Sequence, residues 1–178
     1  KRKKLNPLSI GKSKSYLELN SIKILNNYQY VNFTYQNKKY HFKTRLIGKI
    51  QIINLMMAVS AALKSNLKIN NIVKNLEHVK STEGRIELVG KTNDNSIVIL
   101  DYAHTPEALK ICIESIKEHF GLRKINILFG CGGERDKKKR PIMGKIANKL
   151  CNYIYLTDDN PRTENPKKIR DSIKQSIL

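Results

Sequence analysis

No run of roughly 18 apolar residues occurs in the chain, so no segment reads as a spanning helix. The first residues, Lys1-Arg2-Lys3-Lys4, lead into Leu5-Asn6-Pro7 and not into an apolar signal segment. A soluble, cytoplasmic protein with no membrane insertion is therefore expected. Cysteine is scarce. Cys112, Cys131 and Cys151 share no metal-ligand spacing, and their odd number argues against a disulfide framework, so reduced thiols and no metal ligand in this chain are expected. Acidic residues are outnumbered, 15 against 34 Lys and Arg, which gives a formal charge of +19 and a pI near 9.9. A field of that size attracts polyanions. The lysines are nevertheless dispersed through every segment among many Asn and Ile, with no aromatic platform beside them, so no nucleic-acid partner is expected. The 40% of hydrophobic residues in 178 suffices to bury a core, as one ordinary domain or two small pieces.

The texture changes between His78 and Gly84, and the expected boundary divides 1–83 from 84–178. In the first part, Ser21–Leu25, Tyr30–Tyr35 and Lys39–Lys43 read as short strands, with turns at Asn26-Asn27 and Gln36-Asn37-Lys38, which predicts a small antiparallel meander. Ile53, Met56, Met57, Ser60, Ala61 and Leu63 mark a helix, and 71–76 begins another; both are expected to pack on a sheet whose other strands lie outside the chain. The second part alternates strand and helix. Ile97–Leu100, Ile125–Phe129 and Tyr153–Leu156 are the strands. Thr105 caps the first helix, Pro106 suits its first position and Gly121 stops it. Pro141 opens the second helix, with Ile142, Ile146, Ala147 and Leu150 inward; Asn165 and Pro166 open the third, with Ile169, Ile173 and Ile177 inward. This order predicts right-handed crossovers, a mainly parallel sheet and an α/β fold.

Ligands of such sheets bind beyond the carboxyl ends of the strands, so the three loops that follow the strands are expected to converge. They carry Asp101 and His104; Glu134, Arg135, Asp136 and Arg140; and Asp158, Asp159, Asn160 and Arg162. Cations mixed with carboxylates suit a zwitterionic or phosphorylated ligand. An Arg fork pairs with a carboxylate and an Asn amide adds a directional bond, while Asn160-Pro161 fixes the local backbone.

Four motifs then occur in one order: Gly84-Arg85-Ile86-Glu87; Asp101-Tyr102-Ala103-His104-Thr105-Pro106; Phe129 to Lys137 with Lys139-Arg140-Pro141-Ile142-Met143; and Thr157-Asp158-Asp159-Asn160-Pro161-Arg162. Together they resemble the Mur ligase family, and within it the branch that adds meso-diaminopimelate to UDP-N-acetylmuramoyl-L-alanyl-D-glutamate in peptidoglycan synthesis. The resemblance runs from about Leu46 to the end. It implies a Rossmann-like C-terminal sheet preceded by the tail of an α/β ATPase domain. It also implies ATP and Mg2+, a UDP-MurNAc-dipeptide and meso-diaminopimelate as partners, and a monomer. ATP would phosphorylate the acceptor carboxylate and the incoming amine would attack the acyl phosphate. By the likeness Asn160 and Arg162, with Asp159, Pro161 and Arg135 or alternatively Arg140, would bind the amino acid. Arg85 would lie near the nucleotide phosphates, Asp101 near its ribose and His104 close by. Gln51 and Asn54 would contact adenine.

The sequence departs from the family pattern at Gln51, an asparagine position, at Lys138, a glycine position, and at Met57, an alanine position. No Gly-x-x-Gly-Lys-Ser/Thr phosphate loop is present. The resemblance implies that this loop, the magnesium ligands and a carbamylated lysine precede Lys1, and that a Gly-His-Glu-like motif follows Leu178. The chain is then expected to be a piece of a ligase and inactive alone. A lysine-adding, folylpolyglutamate or cyanophycin type of ligase, or a non-catalytic basic fragment, are the alternatives.

Overall fold

The computed structural model describes residues 7–121 and 123–177. The chain forms two compact units, Lys1–Glu87 and Leu88–Leu178. In the first unit, β1 (Ile10–Gly11), β2 (Leu17–Leu25), β3 (Tyr28–Tyr35) and β4 (Lys38–Thr44) form a four-stranded sheet in chain order. β1 runs parallel to β2, and the remaining pairs are antiparallel. Each hairpin turns on two residues with positive φ, Asn26 and Asn27 at 52° and 62°, Gln36 and Asn37 at 48° and 60°. Such turns carry the twist that the flanking strands require, and Asn tolerates them well.

Helix α1 (Lys49–Lys64) and helix α2 (Ile69–Leu76) cover this sheet. Leu17, Val31, Phe33 and Phe42 from the strands meet Ile52, Leu55, Met56 and Val59 of α1 and Leu76 of α2 in one core. Within the chain the helices pack on the meander itself. The buried stripe of α1 is shifted. It runs through Ile52, Leu55, Met56, Val59 and Ser60, while Ala61 is exposed and Met57 is 57% exposed on the outer side. α1 is apolar on more than one face, so its period alone did not select the inward side.

The connection into α1 is held by Gln29, which is 1% exposed. Its Nε2 donates to the carbonyls of Leu46 at 2.6 Å and Gly48 at 3.2 Å. A buried carbonyl left without a donor is costly, so this one amide sets where the helix begins.

The second unit begins within β5 (Glu87–Lys91), which the turn 92–96 joins to its sheet neighbour β6 (Ile97–Leu100). Then follow α3 (Pro106–Phe120), β7 (Asn126–Phe129), α4 (Lys139–Leu150), β8 (Tyr153–Leu156) and α5 (Pro166–Lys174). β7 and β8 are parallel, with Ile127 opposite Ile154 and Phe129 opposite Leu156. Thr105 Oγ1 accepts the Ala108 N–H at 3.3 Å, and Asn165 Oδ1 accepts the Lys168 N–H at 3.3 Å, so both expected caps form. Gly121, with φ 70°, ends α3. Leu109, Ile113, Met143, Ile169 and Ile173 from the three helices close over Ile127, Phe129 and Leu156. The fold is α/β.

Three sequence expectations are corrected here. The strands do not form one ladder: among the described residues β6 pairs with β5, while β7 and β8 pair separately. α4 begins at Lys139, so Pro141 stands inside the first turn, where its missing N–H still costs no helical bond. Its buried face is Arg140, Met143, Gly144 and Ala147, leaving Ile142 50% exposed. The i, i+3, i+4, i+7 register counted from residue 140 puts Ile142 outside, and the inward position goes to an arginine.

Replacing Gln29 by Leu removes the shared donor while retaining bulk. The expected loss is about 1–3 kcal/mol of unfolding free energy, measured by urea titration.

Candidate functional site

The loop after each strand of the second unit is tied to the next. After β6, Asp101 Oδ1 accepts the Ala103 N–H at 2.8 Å, which bends the chain toward α3. His104 follows, its Nδ1 3.1 Å from the Tyr102 carbonyl and its ring edge-on to Tyr102 at 5.3 Å. A carbonyl only accepts, so Nδ1 is the donor in this contact and Nε2 is left to face a ligand. The His104 carbonyl in turn accepts Lys139 Nζ at 2.7 Å, which joins this loop to the start of α4.

The loops after β7 and β8 meet backbone to backbone. Thr157 N–H continues the ladder to Phe129 O at 3.1 Å, and Gly133 N–H donates to Asn160 O at 2.9 Å. A side chain on Gly130 would overlap the carbonyl of Thr157, and one on Gly133 would overlap that of Pro161. On Gly132 it would stand 3.1 Å from Arg162 Nη1. The glycines are therefore what lets the third loop lie on the second.

The third loop is a compact turn. Asp159 Oδ1 accepts Asn160 N–H at 2.7 Å, Asn160 Oδ1 accepts Arg162 N–H at 3.1 Å, and Pro161 O accepts Glu164 N–H at 3.0 Å. Arg162 sits at φ 50° and reaches back so that Nη1 donates to Gly133 O at 2.7 Å. Asn160 thus spends its oxygen on the turn, and its NH2 group has no hydrogen-bond partner among the described residues. Arg135 is exposed and makes no ion pair among them.

Arg140 behaves otherwise. It is 3% exposed, and its fork grips Glu164, Nη1 to Oε2 and Nη2 to Oε1, both at 3.0 Å, while Nη2 also donates to Gly132 O at 3.2 Å. Glu164 Oε1 accepts the Glu134 N–H at 2.6 Å as well. The Arg140 guanidinium first, and then the Glu134 amide, hold the Glu164 carboxyl down at about 2. Arg140, the alternative to Arg135 as a ligand residue, is thereby committed within the protein. This pair was missed in the sequence, although Arg140 falls on the same helical stripe as Met143 and Ala147, and an arginine on a buried stripe requires a buried partner.

The nucleotide candidates divide between the units. Gln51 and Asn54 lie one turn apart on α1 in the first, with Arg85. Gln51 Nε2 donates to the Arg85 carbonyl at 2.6 Å, a span that the extra methylene of Gln allows. Asp101 and His104 lie in the second unit with Arg135, Asp159, Asn160, Pro161 and Arg162. Burial raises the Cys112 thiol to about 12, with the neighbouring Asp101 carboxylate adding to it, so this thiol is no nucleophile. Among the described residues no group of His, Cys, Asp or Glu is placed to hold a metal, and no helix is long and apolar enough to cross a membrane.

The model of the Mur ligase, glutamate ligase domain matches residues 84–177, the segment that holds all three loops. The chain belongs to the Mur ligase family. The UDP-N-acetylmuramoyl-L-alanyl-D-glutamate–2,6-diaminopimelate ligase of Rickettsia montanensis is 40% identical over 173 residues, 96% of this chain and 35% of that ligase. A solved structure of a UDP-N-acetylmuramoyl-L-alanyl-D-glutamate–2,6-diaminopimelate ligase is 29% identical, with a TM-score of 0.61 over 94% of this chain and 34% of its own. The MurF ligase of Thermotoga maritima in complex with ADP shares the fold at 16% identity, with a TM-score of 0.63 over 95% of this chain and 47% of its own. The chain spans about a third of the length of the curated relatives it matches. Within this Mur ligase chain, the loop contacts described above join the motifs that the sequence presents separately.

Gly133→Ala is expected to destabilise the second unit by about 1–3 kcal/mol, because backbone must move to admit the methyl group. Gly90→Ala, with nothing within 4 Å, serves as the neutral control. Thermal unfolding of the two variants measures the difference. The pH behaviour of Glu164 follows from its depressed value. Its contribution is fully present above its ordinary value near 4.5 and is lost as pH falls through that value to about 2. A carboxyl-carbon NMR titration should therefore find Glu164 still ionised at about pH 3.

Proposed function

We propose that this chain is the amino-acid-adding part of an ATP-dependent amide ligase. In this reading it joins meso-diaminopimelate to UDP-N-acetylmuramoyl-L-alanyl-D-glutamate. The observation that supports the proposal is the tie between the second and third loops, on which Arg135, Asn160 and Arg162 stand. The named activity of the Rickettsia relative supports it. Residues 1–83 would then be the tail of the ATP-binding domain, and 84–178 the amino-acid-binding domain.

The ligand chemistry follows from the groups available. Diaminopimelate carries two carboxylates and two amines. The exposed fork of Arg135 and the NH2 of Asn160 would both donate to a distal carboxylate, Arg162 would add its positive charge, and Asp159 would pair with an ammonium group. Pro161 restricts the Asn160 backbone, and the bond from the Arg162 N–H to Asn160 Oδ1 holds the amide before the ligand arrives. Lysine lacks the distal carboxylate and would leave these donors without an acceptor, so it should be disfavoured.

ATP supplies the phosphoryl group that activates the acceptor carboxylate. The developing negative charge then needs fixed cations and donors. Arg85 would serve the phosphates, Asp101 the ribose hydroxyls, and Gln51 and Asn54 the adenine. His104 would offer its ring Nε2 as a hydrogen-bonding group. Gln51 gives one N–H to the Arg85 carbonyl, and its second N–H and its Oε1 are then the groups offered to the base. The described residues do not fit a resident magnesium site.

The full-length protein, given ATP and the UDP-linked dipeptide, should release phosphate with meso-diaminopimelate in preference to lysine by more than about a hundredfold in kcat/KM. Preference for lysine would refute the assignment. Arg135→Lys should raise the diaminopimelate KM nearly as much as Arg135→Ala, since an ammonium group is a point charge and not a fork. Steady-state kinetics with varied amino acid measures both.

A further inference from the structure

Arg140 and Glu164 touch none of the groups offered to the substrate, yet they hold both loops that carry them. The Glu164 carboxylate binds the N–H of Glu134, the residue before Arg135, at 2.6 Å. The Arg140 guanidinium binds the carbonyl of Gly132, on the other side of Gly133, at 3.2 Å. The backbone N–H of Glu164 closes the turn containing Arg162 at 3.0 Å from Pro161 O. Glu134 at φ 51° and Arg162 at φ 50° both adopt the left-handed region that non-glycine residues avoid. Such conformations persist only where the surroundings over-determine them.

The pair is a poor choice for stability alone. Arg140 Nε is buried without a hydrogen-bond partner among the described residues. Apolar side chains of similar volume often replace buried ion pairs at no loss. What apolar residues cannot do is fix two loops in one register through directional bonds. We infer that Arg140 and Glu164 are positioning residues, which clamp loop 130–136 to loop 157–163 so that Arg135, Asn160 and Arg162 meet one amino acid in a fixed geometry. The inference rests on the amino-acid site proposed above and assigns the residues that set its specificity without contacting the ligand.

The test uses the full-length protein with two variants, Glu164→Gln and the double variant Arg140→Met/Glu164→Met. The double variant removes both charges and so avoids leaving a buried cation alone. It should unfold near the parent's thermal midpoint, yet its KM for the amino acid should rise between about tenfold and a hundredfold. Its KM for ATP should not change. Glu164→Gln should raise the same KM in the same way. Amide hydrogen exchange should quicken at 134–136 and 160–163 and remain slow in the β7–β8 ladder. A double variant that regains both midpoint and amino-acid KM, or that fails to fold, would make the pair merely structural and overturn the inference. Unchanged exchange in the two loops would do the same, with or without turnover. The amino acid used is the one the parent consumes. If that is lysine, the diaminopimelate reading fails while the clamp is still measured.

Discussion

Two backbones come as close as those of residues 130–133 and 157–161 only where one of them carries no side chain. The Gly133 N–H bonds the Asn160 carbonyl directly, and the space a Cβ would need is occupied by the Pro161 carbonyl. From this contact the rest of the site follows. It brings Gly133 O within reach of the Arg162 guanidinium, lets the turn 161–164 close beneath the second loop, and sets the Glu164 carboxylate between Arg140 and the Glu134 amide. A four-residue strand pair such as β7–β8 is a small platform. The loops are ordered by one another more than by the sheet.

The electrostatics divide in the same way. Glu164 is surrounded by donors, two from a buried guanidinium and one from backbone, with Lys137 3.6 Å away. Its charge is therefore consumed inside the protein. Arg135 is exposed and faces no internal carboxylate among the described residues. The chain's large positive charge says little about this arrangement, because most of the lysines are solvated and screened. What distinguishes the site is which of its charged groups are already paired.

Much of the architecture was legible because the punctuation was local. Thr105-Pro106, Gly121 and Asn165-Pro166 act within a few residues of themselves, and each stands at the helix end it was assigned. The hairpin turns at Asn26-Asn27 and Gln36-Asn37 were visible for the same reason. The failures involve partners distant in sequence. That β6 spends its ladder on β5 is a choice among edges that strand propensity does not encode. The inward face of α1 depends on the meander beneath it, because apolar residues lie on more than one side. Reading Pro141 as a helix start was reasonable by propensity, but Lys139 is drawn into the helix with its ammonium group on the His104 carbonyl. Of the site, the loops and their polar residues could be read, whereas the Arg140–Glu164 pair joins positions 24 residues apart and needed the fold.

The glycine contact also limits how such a site can diversify. A loop that rests on a neighbour through backbone alone cannot lengthen, or gain a side chain at the point of touch, without separating the two. Variation is then confined to side chains that hold nothing in this frame; the exposed Arg135 is one, whereas Asn160 and Arg162 also bond within it. Descendants of such a sequence would explore new ligands by exchanging a few projecting groups, and the glycine at 133 would be inherited with the frame.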